Sequence, residues 1–227
     1  MQRDTLIAIG TGLGSAVLFL LVLSGNPFAL LLSYFGHLPL FLTGLWQGPK
    51  RLLVAAFAAC IALVHLGGLL PFTVFMVVFA GPAMLLTRMA LVIRKDQNGN
   101  VAFLPSGIVV SAMAVMVATV MIFVTGTLTA EGVDIQDFIA KFLSQMYSEM
   151  GVPMTSDVQG LIGMFQTYFP AIAAVSWLLM LFANAAIAQA ILVRAGKNLR
   201  PTPSMASFAL PGWSLFAFAL AGFTVGF

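Results

Sequence analysis

The sequence predicts an all-α fold: a polytopic transmembrane helix bundle with six full spans, a partial seventh, and an extracytoplasmic amphipathic helical hairpin. Three observations lead there. Of 227 residues, 61% are hydrophobic and 7% charged, whereas about a quarter of a soluble domain is charged. The apolar residues gather into runs of roughly the 20 positions that a helix needs to cross a bilayer. The basic residues collect at alternate junctions between those runs. Residues 1–227 form a single membrane domain in this reading, with 129–168 an insert within it.

The first run, residues 6–23, is longer than a signal-peptide core and lacks an A-x-A-like cleavage site, so it is read as a retained helix. Ala8, Gly10, Gly12, Gly14 and Ala16 give it a small-residue docking face, for this protein's own helices or for a separate subunit. Ser24 to Pro27 reads as a turn. The second run, residues 28–45, contains His37 and Pro39 and ends in Trp46, Gly48, Pro49, Lys50 and Arg51: an aromatic anchor, a helix stop and two cations.

The third run spans residues 52–70 and leaves through His65, Gly67, Gly68 and Pro71. The fourth, residues 72–93, carries an internal Gly81-Pro82 and ends in Arg94-Lys95. A polar turn and a connector at 101–107 lead to the fifth, residues 108–128. From 129 to 168 the chain turns acidic, with Glu131, Asp134, Asp137, Glu149 and Asp157 against Lys141. There Ile135, Phe138, Ile139, Phe142, Leu143, Met146, Tyr147 and Met150 recur at three and four, one stripe of an amphipathic helix. Asp134 fits its cap and Gly151 its end. Ser156 and Gln159 form a capping-box pattern opening a second arm. Surface-seeking helices usually carry Lys and Arg on the polar face, so this acidic hairpin is expected to pack as a lid over helix ends.

The sixth run, residues 169–193, begins beside Pro170, taken as a bend, and ends before Arg194, Lys197 and Arg200. A proline-punctuated connector, 201–211, precedes a seventh run that starts near Trp213 and reaches Phe227 short of a full span, so a truncated C-terminus is expected.

Sidedness follows from the cations. Arg3, Lys50, Arg51, Arg88, Arg94, Lys95, Arg194, Lys197 and Arg200 fall on one side and Lys141 on the other. The positive-inside rule puts the N-terminus in the cytoplasm and residues 129–168 outside. Arg88 is close enough to the inner surface to snorkel. Measured at about 1.5 Å per residue, Pro39 and Pro82 both lie on the order of 15 Å from the outer ends of their helices, near the midplane. Each is expected to break its helix there, and a freed carbonyl in lipid must find a partner in protein or in a wet cavity.

Polar side chains of the outer half, Tyr34, His37, His65, Tyr168, Ser176 and Trp177, form a candidate ligand pocket. At such depth polar groups mark either a site or interhelical hydrogen bonding, and the latter also describes Asn184 and Gln189. No basic stripe with interleaved aromatics points to nucleic acid. The single cysteine, Cys60, precludes an intramolecular disulfide and reads as a buried thiol. There is no His-Glu-x-x-His, no G-x-S-x-G and no P-loop, and no carboxylate lies within a span. Catalysis, a metal site and a cofactor are therefore not expected.

Three stretches carry a resemblance: HLPLFLTGLWQG at 37–48, LPSG at 104–107, and NAAIAQAILVRAGKNLRPTP at 184–203. They resemble the YybS-like predicted membrane proteins of bacteria, an uncharacterised family similar to the S subunits of energy-coupling-factor transporters. The resemblance implies multi-pass insertion in the bacterial cytoplasmic (inner) membrane, capture of a small-molecule ligand from an outward-facing pocket, and a transmembrane coupling subunit as partner beside the lipid bilayer. The alternative is a non-transporting membrane scaffold or assembly protein, in which the same prolines and histidines only shape packing.

Overall fold

The computed structural model of the chain describes residues 2–24, 26–95, 101–202 and 208–214. Among the described residues six helical stretches are long and apolar enough to span a membrane: Gln2–Leu20, Phe28–Gln47, Pro49–Gly67, Leu69–Ala90, Ser106–Ala130 and Ser156–Arg194. The all-α polytopic class is as expected. The partial seventh span falls mainly on 215–227, outside the described residues.

The chain forms two compact units, Met1–Ala114 with Met180–Phe227, and Val115–Leu179. In the first, α1 (Gln2–Leu20) runs into a 3-10 turn, Leu21–Ser24. Asn26 then caps α2 (Pro27–Ser33) by accepting the Phe28 N–H at 2.9 Å, with proline at the first helical position, where its missing N–H is harmless. After a four-residue turn come α3 (Leu38–Gln47), α4 (Pro49–Gly67), α5 (Leu69–Phe75), a π-helical turn (Met76–Ala80) and α6 (Gly81–Ala90). One residue joins α3 to α4: Gly48, at φ 85°, a conformation that a side chain disfavours. With Pro49 opening α4, the chain reverses without a loop.

Two expectations about proline shift here. The break in the second span lies at 34–37, one turn before Pro39, because the ring crowds the preceding residue and turn while fitting the first turn of the next helix. Pro82 does not break the fourth span. The helix runs on through the π turn, whose wider i→i−5 pairing, Gly81 N–H to Met76 O, absorbs the irregularity.

After α6 the connector predicted at 101–107 is partly a strand. β1 (Ile93–Lys95) pairs antiparallel with β2 (Val101–Phe103), Ile93 opposite Phe103 and Lys95 opposite Val101. The Leu104 N–H donates to Val92 O at 3.1 Å, lengthening the ladder. The polar turn expected between the fourth and fifth runs falls on residues 96–100, outside the described residues.

α1 packs most closely on α4. Ala8, Gly12, Ser15, Ala16 and Phe19 are buried on one face of α1, and Leu52, Ala55, Ala56, Ala59 and Leu63 on α4. Gly12 lies against the Ala55 carbonyl with no space for a Cβ, so the expected docking face is divided. Ala8, Gly12 and Ala16 meet this chain's own helices, while Gly10 and Gly14, about 200° around the helix, have nothing within 4 Å of a built Cβ. The Thr11 and Thr43 hydroxyls, 2.6 Å apart, tie α1 to α3. Cys60 is buried, with its thiol on Met76 Sδ at 3.2 Å.

The second unit holds the later part of α7 (Ser106–Ala130), α8 (Ile135–Glu149) and the first part of α9 (Ser156–Arg194). Asp134 accepts the Gln136 and Asp137 N–H groups, as a cap should. Lys141 bridges Asp137 at 2.6 Å, and that hydrogen-bonded carboxylate raises the ammonium pKa above its ordinary value. The second arm begins one residue earlier than the Ser156 cap predicts: Thr155 Oγ1 accepts from Val158 at 3.4 Å, and Thr155 O from Gln159 at 3.0 Å. Nor does the arm end before the sixth span. α9 is one helix of 39 residues with Pro170 inside it, about 58 Å long against about 30 Å of hydrocarbon. A proline removes one backbone bond, and the turns on either side carry the helix past it.

The split face of α1 yields a paired test. Gly12→Val drives a side chain into the α4 backbone and should destabilise the protein by about 1–3 kcal/mol, read as a lower unfolding midpoint in mixed micelles. Gly14→Val should leave the midpoint nearly unchanged, and equal effects would contradict the packing of α1 on α4.

Candidate functional site

The turn between α2 and α3 sits within an apolar span, so its backbone groups need partners that water does not supply. Part of the requirement is met locally by tightened i→i−3 bonds: Phe35 N–H to Leu32 O at 3.0 Å, Gly36 to Ser33 at 2.9 Å, and Leu38 to Phe35 at 2.9 Å. That tightening diverts the Leu38 N–H, which α-helical pairing would send to Tyr34. Side chains serve the turn's carbonyls instead. Asn184 Nδ2, from α9, donates to Tyr34 O at 2.7 Å, and Ser15 Oγ, from α1, donates to Gly36 O at 2.6 Å.

His37 closes the turn and serves a second defect. Pro82 has no N–H, so the carbonyl four residues earlier, Val78, loses its α-helical donor. His37 Nε2 lies 2.8 Å from that oxygen, and because a carbonyl only accepts, Nε2 carries the hydrogen. The fully buried ring stacks on Phe79 at 4.2 Å and lies 6.1 Å from Phe41. Phe79 in turn packs edge-on against Phe19 at 5.3 Å. A Cβ on Gly36 would come within 2.6 Å of the Phe79 ring, so the glycine lets the aromatic stack reach the turn. Two irregular helices are thus joined by one imidazole.

A cavity of the first unit lies elsewhere, toward the end that carries Arg51 and Lys197. Its volume is about 530 Å³, and its wall is mostly apolar, from Phe41 and Leu45 of α3 to Met113 of α7 and Phe182 and Ala186 of α9. Thr87, Ser106, Gln189, Arg200 and Thr202 supply polarity. The Thr87 hydroxyl is buried without a hydrogen-bond partner. Arg200, 9% exposed, donates through Nη1 to Ala90 O at 3.0 Å and through Nη2 to Leu104 O at 2.8 Å. Burial pushes its pKa below the ordinary guanidinium value. Its own carbonyl accepts from Gln189 Nε2 and Asn198 Nδ2, each at 2.8 Å. Lys197 sits over the Trp46 ring at 4.4 Å, and the Leu199 N–H reaches Leu45 O at 3.2 Å, so the segment after α9 is bound down on α3.

The predicted pocket residues have different surroundings. In the first unit His37 is wholly buried, while Tyr34 and His65 are exposed, and none of the three lines the 530 Å³ cavity. In the second unit Tyr168 is exposed, Ser176 is half-buried with a partner, and Trp177 is buried with its indole N–H unpaired. That unit has its own open cavity of about 480 Å³ beside Thr125, Thr129, Asp134 and Pro170. Among the described residues no group of three His, Cys, Asp or Glu side chains is placed to hold a metal. The sequence reading missed Thr87 as a cavity group and Arg200 as a buried one. Nothing distinguishes Arg200 in the sequence from the topological cations around it.

Six helices long and apolar enough to span a membrane among the described residues, one of them interrupted in mid-span and closed by side chains, define a polytopic helical membrane protein. Residues 15–227 match the family described as predicted membrane protein, DUF2232, and the chain belongs to it. No curated protein and no solved structure matches the chain.

The His37 bridge predicts a non-additive pair. His37→Ala leaves the Val78 carbonyl without its donor and should destabilise by about 1–3 kcal/mol. In a Pro82→Ala background the backbone N–H restored at that position can serve the same carbonyl, so the histidine substitution should destabilise less, with a coupling of about 1 kcal/mol. Strict additivity in the double-mutant cycle would show that the two residues do not share the carbonyl.

Proposed function

We propose that the protein is a membrane-embedded component that binds a small molecule and serves its transport, with its N-terminus and the Arg51, Arg94 and Lys197 end in the cytoplasm. The observation carrying this reading is the 530 Å³ apolar cavity with a few polar groups at one end. That is the usual composition of a small-molecule site, and its size falls within the usual range of about 300–1,000 Å³. One wall of the cavity is α3, the helix that follows the interruption at 34–37. The resemblance of the sequence to energy-coupling-factor S subunits would add a transmembrane coupling subunit as partner. It would meet α1 on the Gly10 and Gly14 side, because α4 covers the Ala8, Gly12 and Ala16 side.

A scaffold or assembly role draws on a different observation: Phe138, Phe142, Met146 and Met150 form an exposed apolar line along α8, of the kind that meets a partner. The two readings separate on purification. Full-length wild-type protein extracted in maltoside should carry a small molecule in near-stoichiometric amount by mass spectrometry, and Ala186→Phe, which fills the cavity, should lose it while keeping its unfolding midpoint. An empty wild-type cavity together with a protein partner lost on Phe142→Ser would overturn binding in favour of the scaffold. Orientation is tested in a Cys60→Ser background. A membrane-impermeant maleimide should label Glu131→Cys in intact cells and Lys197→Cys only after permeabilisation; the reverse pattern would invert the topology.

A further inference from the structure

We propose that the cavity of the first unit takes an amphipathic anion: an acyl chain with one carboxylate or phosphate head, the head at Arg200 and the chain along the wall toward Phe41 and Met113. The inference rests on the binding reading above and names its ligand class. Arg200 is nine-tenths buried and lines the cavity, and among the described residues no carboxylate pairs with it. Its recorded partners are the Ala90 and Leu104 carbonyls and the Phe103 ring, whose centroid is 5.7 Å from Cζ. Those dipoles hold the guanidinium in place but leave its net charge uncompensated. A buried cation of this kind attracts an anion strongly, because little solvent screens it.

The remaining polar lining residues adjoin Arg200 and its partners along the chain: Ser106 lies two residues past Leu104, whose carbonyl Arg200 holds, and Thr202 two residues past Arg200 itself. Thr87 is one helical turn from Ala90, whose carbonyl Arg200 holds, and Gln189 donates to the Arg200 carbonyl. Elsewhere the wall is formed by Phe41, Leu45, Val110, Met113 and Phe182. Such a wall favours hydrocarbon and has little to offer the hydroxyls of a sugar or a nucleoside. A cation would be repelled at the one polar end. An acid head on an apolar chain fits both ends at once.

Native mass spectrometry of the full chain from maltoside micelles tests this with two matched pairs. Palmitate against hexadecanol represents a free acid, and phosphatidylglycerol against phosphatidylcholine represents a bilayer lipid. At least one anion should bind tenfold or more above its uncharged or zwitterionic counterpart, and the preferred pair identifies the source. Arg200→Gln should abolish that preference and Arg200→Lys should retain it, while Ala186→Phe should remove binding of both members of the pair. Unfolding midpoints are measured alongside, and if R200Q does not fold, loss of the wild-type preference in A186F decides the matter. Equal binding of anion and counterpart by the wild type, or a preference that persists in folded R200Q, would overturn the anion inference and leave cavity binding standing. Failure of every probe to bind, or binding unchanged in A186F, would overturn both.

Discussion

A polypeptide that interrupts a helix inside a membrane must find hydrogen-bond partners for the carbonyls it releases, since hydrocarbon has none to give. In this protein that constraint is concentrated on residues 34–37 and on Val78, and the partners come from separate helices. Ser15 reaches from α1, Asn184 from α9, and His37 crosses from the turn itself to the π-helical segment before α6. Each bond therefore fixes the position of one helix against another. The aromatic stack through His37, Phe79 and Phe19 fills the space between them, and the close approach of α1 to α4 at Gly12 completes the packing on the opposite side of α1 from Gly10 and Gly14.

The other end of the first unit is organised by charge. Arg200 binds the end of α6 and the residue after β2 through their carbonyls, and Leu199 and Lys197 hold the same segment to Leu45 and Trp46. The small β1–β2 pairing belongs to this arrangement, since Leu104 follows directly from β2. Side chains that would serve a topology rule equally well in water here close the floor of an apolar cavity. Structural and ligand-binding roles are not exclusive for such a group, because two carbonyls use only part of a guanidinium's donor capacity.

Much of this was legible in the sequence for physical reasons. Long apolar runs and a lack of charge dictate spanning helices, and Asp134 forms the cap that its position suggests. Asn184 and Gln189 are hydrogen-bonding side chains within a span, as their polarity requires. What was not legible depends on tertiary pairing. Pro39 and Pro82 look alike in sequence, yet one follows a broken turn and the other sits behind a π turn, because His37 is near enough to supply one missing donor. Pro170 looks like a boundary and lies inside a 39-residue helix. Of the residues placed in a candidate pocket, His37 is committed to Val78, while Tyr34 and His65 face outward. Arg200 reads as one more loop cation until the fold buries it.

The packing of the interrupted helices depends most on the His37 to Val78 bond, which nitrogen-15 magic-angle-spinning NMR can observe directly. The full chain would be reconstituted in lipid with labelled histidine, with His65→Gln leaving His37 as the single signal. The structure predicts one tautomer, with the hydrogen on Nε2 and magnetisation transfer from that hydrogen to the Val78 carbonyl carbon. A hydrogen on Nδ1, or two tautomers in exchange with water, would contradict the bridge and with it the account of how the interrupted helices are held together.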